Sequence, residues 1–143
     1  MTEIDFYTQA GDKLAVACTL CAKAFTRSLR TSVHTPDAET SAQLDRILWT
    51  TPATSFLPHC SGTHPLAKVT PVIIDHDPEH FLHDQVLINL TDSLPSYFSR
   101  FERVLEIVGI AEEDKARARE RFRFYRDRGY LIRIHDLLNP GET

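Results

Sequence analysis

Cysteine is scarce in this 143-residue chain. Three thiols, Cys18, Cys21 and Cys60, are too few and of the wrong parity for a disulfide framework, so they are read as reduced. No run of about 18 apolar residues occurs that could form a membrane span. The first residues, Met1-Thr2-Glu3-Ile4-Asp5, are acidic where a secretory leader needs positive charge, so a cytoplasmic protein is expected. Glycine is sparse as well: only Gly11 lies between Tyr7 and the first helical pattern. A dinucleotide fingerprint needs three spaced glycines, and a P-loop needs Gly-Lys-Ser/Thr after its turn; neither is present. There is also no Gly-x-Ser-x-Gly elbow, no His-Glu-x-x-His and no recognisable acid/base pair. The expectation is a non-catalytic protein that needs no cofactor.

Hydrophobic residues make up 42% and charged residues 25%, ordinary globular usage, so residues 1–143 are read as a single domain around one core. Ile4 to Tyr7 reads as a strand, and Leu14, Cys18, Cys21, Ala22, Phe25 and Leu29 recur at helical spacing. Cys18-x-x-Cys21 has redox spacing but falls within that apolar stripe, where a buried structural pair belongs. Thr31 to His34 reads as a second strand, Thr35 as an N-cap before Pro36, and Ala42, Leu44, Ile47, Leu48 and Trp49 as the buried side of a second helix. Val72 to Ile74 and Val86 to Ile88 read as buried strands. Tyr97, Phe98, Phe101, Val104, Leu105 and Val108 have helical spacing, Gly109 breaks it, a basic helix follows from about Ala111 to Arg128, and Leu131 to Ile134 reads as a last strand. The rhythm of strand and helix predicts an α/β fold: a three-layer, Rossmann-like domain with a mostly parallel central sheet and no nucleotide-binding fingerprint.

The net charge of −4 argues against broad electrostatic binding to DNA, yet Lys115 to Arg128 holds seven basic residues against two acidic ones, Glu120 and Asp127. On a helix, Lys115, Arg119, Arg123 and Arg126 form one stripe within roughly 80°. Ala111, Ala118, Phe122 and Tyr125 form an adjoining apolar stripe, and Arg117, Arg121 and Arg128 point to a separate side. Such a helix suits an external anion. It could be an acidic peptide or, with Phe122 and Tyr125 stacking bases, single-stranded nucleic acid. His59, Cys60, His64, Asp75, His76, Asp77, His80 and His83 could supply zinc ligands, which would make a metal-dependent enzyme a further rival. Their spacing matches no closed site and Pro78 disfavours a helix, so they are read as solvated loop histidines with no metal.

Three stretches together resemble the DNA polymerase III chi subunit family: Leu44-Asp45-Arg46-Ile47-Leu48-Trp49, then Pro52-Ala53-Thr54-Ser55-Phe56-Leu57-Pro58-His59, and Ala118-Arg119-Glu120-Arg121-Phe122-Arg123-Phe124-Tyr125-Arg126. The opening Phe6-Tyr7 and the run Val86-Leu87-Ile88-Asn89-Leu90 fit as well. The resemblance implies a replisome adaptor that links the psi subunit of the clamp-loader complex to the acidic C-terminal tail of single-stranded DNA-binding protein, and so contacts DNA only indirectly. It places the tail site on Lys115, Arg119, Phe122 and Arg123, with Arg126 and Val108 nearby; Phe122 stands where tyrosine is common. It places the psi contact on Phe56, with Trp49 and Pro58 as neighbours. Some relatives use that second surface to recruit an accessory DNA helicase.

Overall fold

Two four-residue runs in which every residue is buried, Val72–Asp75 and Val86–Asn89, have the character of strands covered on both faces. A computed structural model, describing residues 1–139, places them inside a seven-stranded sheet in which every pairing is parallel. In chain order the elements are β1 (Glu3–Ala10), α1 (Lys13–Thr26), β2 (Thr31–His34), α2 (Ala38–Thr50), β3 (His59–Cys60), β4 (Val72–Asp75), β5 (Val86–Asn89), β6 (Arg103–Gly109), α3 (Glu112–Asp127) and β7 (Ile132–Asp136). The sheet order is β3-β4-β2-β5-β6-β1-β7. No described helix is long and apolar enough to cross a membrane.

Period-two alternation sorts the core into two layers. On one face Tyr7, Val33, Ile74, Ile88, Leu105 and Ile107 pack with Ala17 and Cys21 of α1 and with Leu44 and Leu48 of α2. On the other, Ile4, Phe6, Ile73, Leu87, Val104 and Val108 pack with Ala118 and Tyr125 of α3 and with Phe81, Phe98 and Phe101 from the connections. The expected three-layer α/β architecture is therefore present, with a sheet that is wholly parallel. Cys18 and Cys21 are buried free thiols; burial pushes Cys18 up to about 11 and Cys21 higher still, so neither is a ready thiolate.

Four local expectations need correction. The helix read through Tyr97 to Val108 is a short 3₁₀ turn, Phe98–Arg100, followed by strand β6. All of Val104 to Gly109 is buried between α1 and α3, and a strand covered on both faces has no period of two to betray it. The second helix is capped by Asp37, not Thr35, because its carboxylate accepts the Thr40 N–H at 2.7 Å. Thr35 is buried two residues earlier, its hydroxyl beside that of Ser41. On that helix Ala42 and Trp49 are exposed, and Leu44 and Leu48 alone are fully covered. Finally, His59 and His83 are not solvated: both are buried, His59 against the Leu57 carbonyl at 2.7 Å and His83 against the Thr70 carbonyl at 2.8 Å.

Candidate functional site

The first turn after β1 is where a parallel α/β sheet offers a helix N-terminus to phosphate. Here the chain's own Asp12 fills that position, its carboxylate accepting the Ala15 N–H at 3.1 Å, and Asp37 does the same for α2. The histidine-rich loops are tied into local networks. Asp75 accepts the N–H groups of Gly62 (3.0 Å) and Asp77 (2.9 Å) and faces His80 Nδ1 at 3.0 Å. Burial opposes its charge, but these donors hold the Asp75 carboxyl below its usual range, and the Asp75 contact raises His80. Among the described residues, no three His, Cys, Asp or Glu side chains are grouped to hold a metal.

The basic helix carries the most distinctive surface. Its first turn holds Glu112, Glu113 and Asp114, which suit the positive end of the helix dipole. Asp114 accepts the Gly109 N–H at 2.6 Å and meets Lys13 Nζ at 3.2 Å; burial disfavours its charge, but these two donors keep its carboxyl below the ordinary value. Ala118, Arg121 and Tyr125 face the sheet. Arg121 is 3% exposed, and its Nε donates to Glu106 at 3.0 Å. Tyr125 and Asn89 donate to the same carboxylate at 2.8 and 2.9 Å. Burial raises Glu106, while Arg121, Tyr125 and Asn89 favour its charged form.

This arrangement revises the reading of seven cations facing two acids, because partners come from outside the helix. Arg121 belongs to Glu106, Arg117 to Asp92, and Arg128 lies over the Phe124 ring at 3.6 Å. Arg126 meets Asp127 at 3.1 Å in the open, and Lys115 approaches Glu112 only to 4.0 Å. Among the described residues, Arg119 and Arg123 have no carboxylate within salt-bridge distance.

Lys115, Arg119, Phe122 and Val108 come together as the wall of one recess of about 280 Å³. Its remaining walls are Ala118, Phe6 and Thr8 of β1, and Ile134 of β7. Phe122 meets Phe6 edge to face at 5.8 Å, so its ring is fixed. Arg123 and Arg126 are exposed but do not line the recess; they stand one and two turns further along α3. Phe6, Thr8 and Ile134 were missed by sequence reasoning, because only the β6-β1-β7 strand order brings the two ends of the chain beside α3.

The second group lies in the connection after α2. The Thr54 hydroxyl donates to the Leu48 carbonyl at 2.9 Å, and Leu57 is buried in the core with its N–H on Thr54. Between these two anchors Phe56 is held outward, 93% exposed, with Pro58 also exposed. Trp49 is 51% exposed and lies on the His59 ring at 4.2 Å. A phenyl ring projected almost wholly into solvent from a pinned loop is an exposed apolar side chain, not a core fragment.

Fold and recess define a Rossmann-layered α/β protein whose first two helices are capped by its own Asp12 and Asp37 and whose open chemistry is a cation-rimmed apolar notch. The family model for DNA polymerase III chi subunit, HolC, matches residues 1–133. The chain is similar to DNA polymerase III subunit chi of Pseudomonas aeruginosa, at 32% identity over 141 residues covering 96% of this chain and 98% of the relative. It is also similar to the proteins of that name from Escherichia coli (28% identity; 82% of this chain, 80% of the relative) and Haemophilus influenzae (24% identity; 82% of each). The chain belongs to the DNA polymerase III chi subunit family, accessory and non-catalytic subunits of the replicative polymerase.

Proposed function

We propose that this protein is a replisome adaptor that receives the acidic C-terminal tail of single-stranded DNA-binding protein in the α3 recess and binds the psi subunit through Phe56, Trp49 and Pro58. The observation that carries the first part is the juxtaposition of Lys115 and Arg119 with an apolar recess walled by Phe122, Val108 and Ile134. A peptide ending in Phe has a ring for the recess and a terminal carboxylate for Arg119, whose planar fork suits bidentate contact. Arg123 and Arg126 attract the upstream aspartates at longer range, a contribution that salt screens over about 10 Å at 0.1 M.

Direct binding of single-stranded nucleic acid is less well supported. Three of the seven cations are engaged by Glu106, Asp92 and Phe124, and Tyr125 is fully buried, so neither a long phosphate track nor a second stacking ring remains.

Calorimetric titration with a tail peptide, intact or lacking its terminal Phe, tests the reading. Loss of the ring should weaken binding by about 1.5–3 kcal/mol, the value of burying one such side chain. Equal affinity for the two peptides would contradict it. For the second surface, Phe56→Ala should fold normally and lose psi in co-purification; full recovery of psi would move the interface elsewhere.

A further inference from the structure

The notch opens beside an unpaired sheet edge. Strand β7 pairs with β1 on one side and, among the described residues, with no strand on the other. Two bonds fix the phase of that ladder: Ile4 N–H to the Leu131 carbonyl and Leu137 N–H to the Thr8 carbonyl, both 3.0 Å. In a parallel pair the bonding residues alternate, so residues 131, 133, 135 and 137 serve β1. The N–H and C=O groups of Ile132 and Ile134, and the N–H of Asp136, therefore point outward; the Asp136 carbonyl is taken by Asn139. An edge with consecutive free groups is a template for another extended chain.

The charges beside this edge are directional. Helix α3 connects two parallel strands and so runs opposite to β7. Lys115, Phe122 and Arg126 fall within roughly 40° of one another on the helix, so Arg126 faces the same side as the notch. Arg126 lies about 10 Å beyond Arg119 along the axis, toward the N-terminal end of β7. An extended peptide covers that span in about three residues. In the other direction lie Glu112 and Glu113, both exposed, which repel an anion.

We propose that an acidic C-terminal peptide adds to β7 as a parallel eighth strand, its terminal carboxylate at Arg119 and its upstream carboxylates beside Arg126 and Arg123. The proposal rests on the reading of the α3 recess as a tail site and adds to it a backbone ladder and a chain direction. Main-chain bonds to the edge supply affinity that does not depend on peptide sequence, while the recess selects the terminal ring. Residues of the peptide alternate between facing β7 and facing solvent through their N–H groups.

The test uses the full chain and three synthetic nine-residue peptides with upstream aspartates and a terminal Phe: one unmodified, and two N-methylated at alternate backbone positions in opposite phase. One methylated phase should bind roughly tenfold more weakly than the parent, through loss of two or so ladder bonds, and the other should match the parent. If both phases equal the parent, or both weaken alike, the eighth strand is wrong although the recess still binds tails. If the unmodified peptide does not bind, the recess reading itself falls, and the strand with it. Direction is read separately: a nitroxide on the peptide N-terminus should broaden the amides of Leu131 and Ile132. Broadening centred on Asp136 and Leu138 instead would overturn the parallel orientation.

Discussion

Arg117 and Arg121 are one helical turn apart and look alike in the sequence, yet they differ in kind. Arg117 meets Asp92 with both side chains about half exposed, where an ion pair is worth less than about 1 kcal/mol. Arg121 and Glu106 are both sealed, so removing the guanidinium leaves a carboxylate buried without its cation. Arg121→Met should therefore lower unfolding free energy by about 3–5 kcal/mol in urea titration, and Arg117→Met by under about 1 kcal/mol. Similar losses for the two would mean that Glu106 is not held by Arg121. This distinction could not be read from residues 115–128 alone. The partner lies on β6, in a stretch whose aromatic and aliphatic spacing imitated a helix. By contrast, helical spacing alone put Lys115 and Arg119 on one stripe of α3 with Phe122 on the adjoining one, while Val108, read as the end of a helix and found on β6, was tied to them only through the family resemblance.

At the scale of elements, the position of α3 is set by the turn from β6. Gly109 gives its N–H to Asp114, which also holds Lys13 of α1, so one carboxylate ties a strand to two helices. A Cβ at position 109 would stand 2.7 Å from that carboxylate oxygen and 3.3 Å from the Lys13 side chain. Gly109→Ala should displace Asp114 and lose a charged hydrogen bond, lowering stability by about 1.5–3 kcal/mol by thermal or urea unfolding. An unchanged midpoint would show that Asp114 is not the anchor. Strands β2, β4 and β5 were legible as short apolar or β-branched runs bounded by polar residues, and α1 and α3 as amphipathic stripes. The start of α2 was not, since Thr35 and Asp37 are both capping residues and tertiary packing draws Thr35 inside. Trp49 was read from its helical position as part of the buried side of α2; the structure leaves it half open on His59.

For the whole molecule, the strand order places the two proposed surfaces far apart. The recess is at the β7 edge, while the Phe56 loop leads into β3 at the opposite edge. Seven strands at about 4.8 Å spacing put these edges roughly 29 Å apart, enough for two partners to be held at once. Net charge of −4 with cations concentrated on one helix favours a short acidic ligand over a long polyanion, and makes its capture sensitive to salt. In the proposed adaptor Arg119 makes a specific contact with the terminal carboxylate of a tail peptide. A double-mutant cycle measures it directly, combining Arg119→Ala with a peptide whose C-terminus is amidated, all four affinities taken by calorimetry at one salt concentration. A coupling of about 1–3 kcal/mol is expected. Additivity to within about 0.5 kcal/mol would contradict it, because the two groups would then not be in contact.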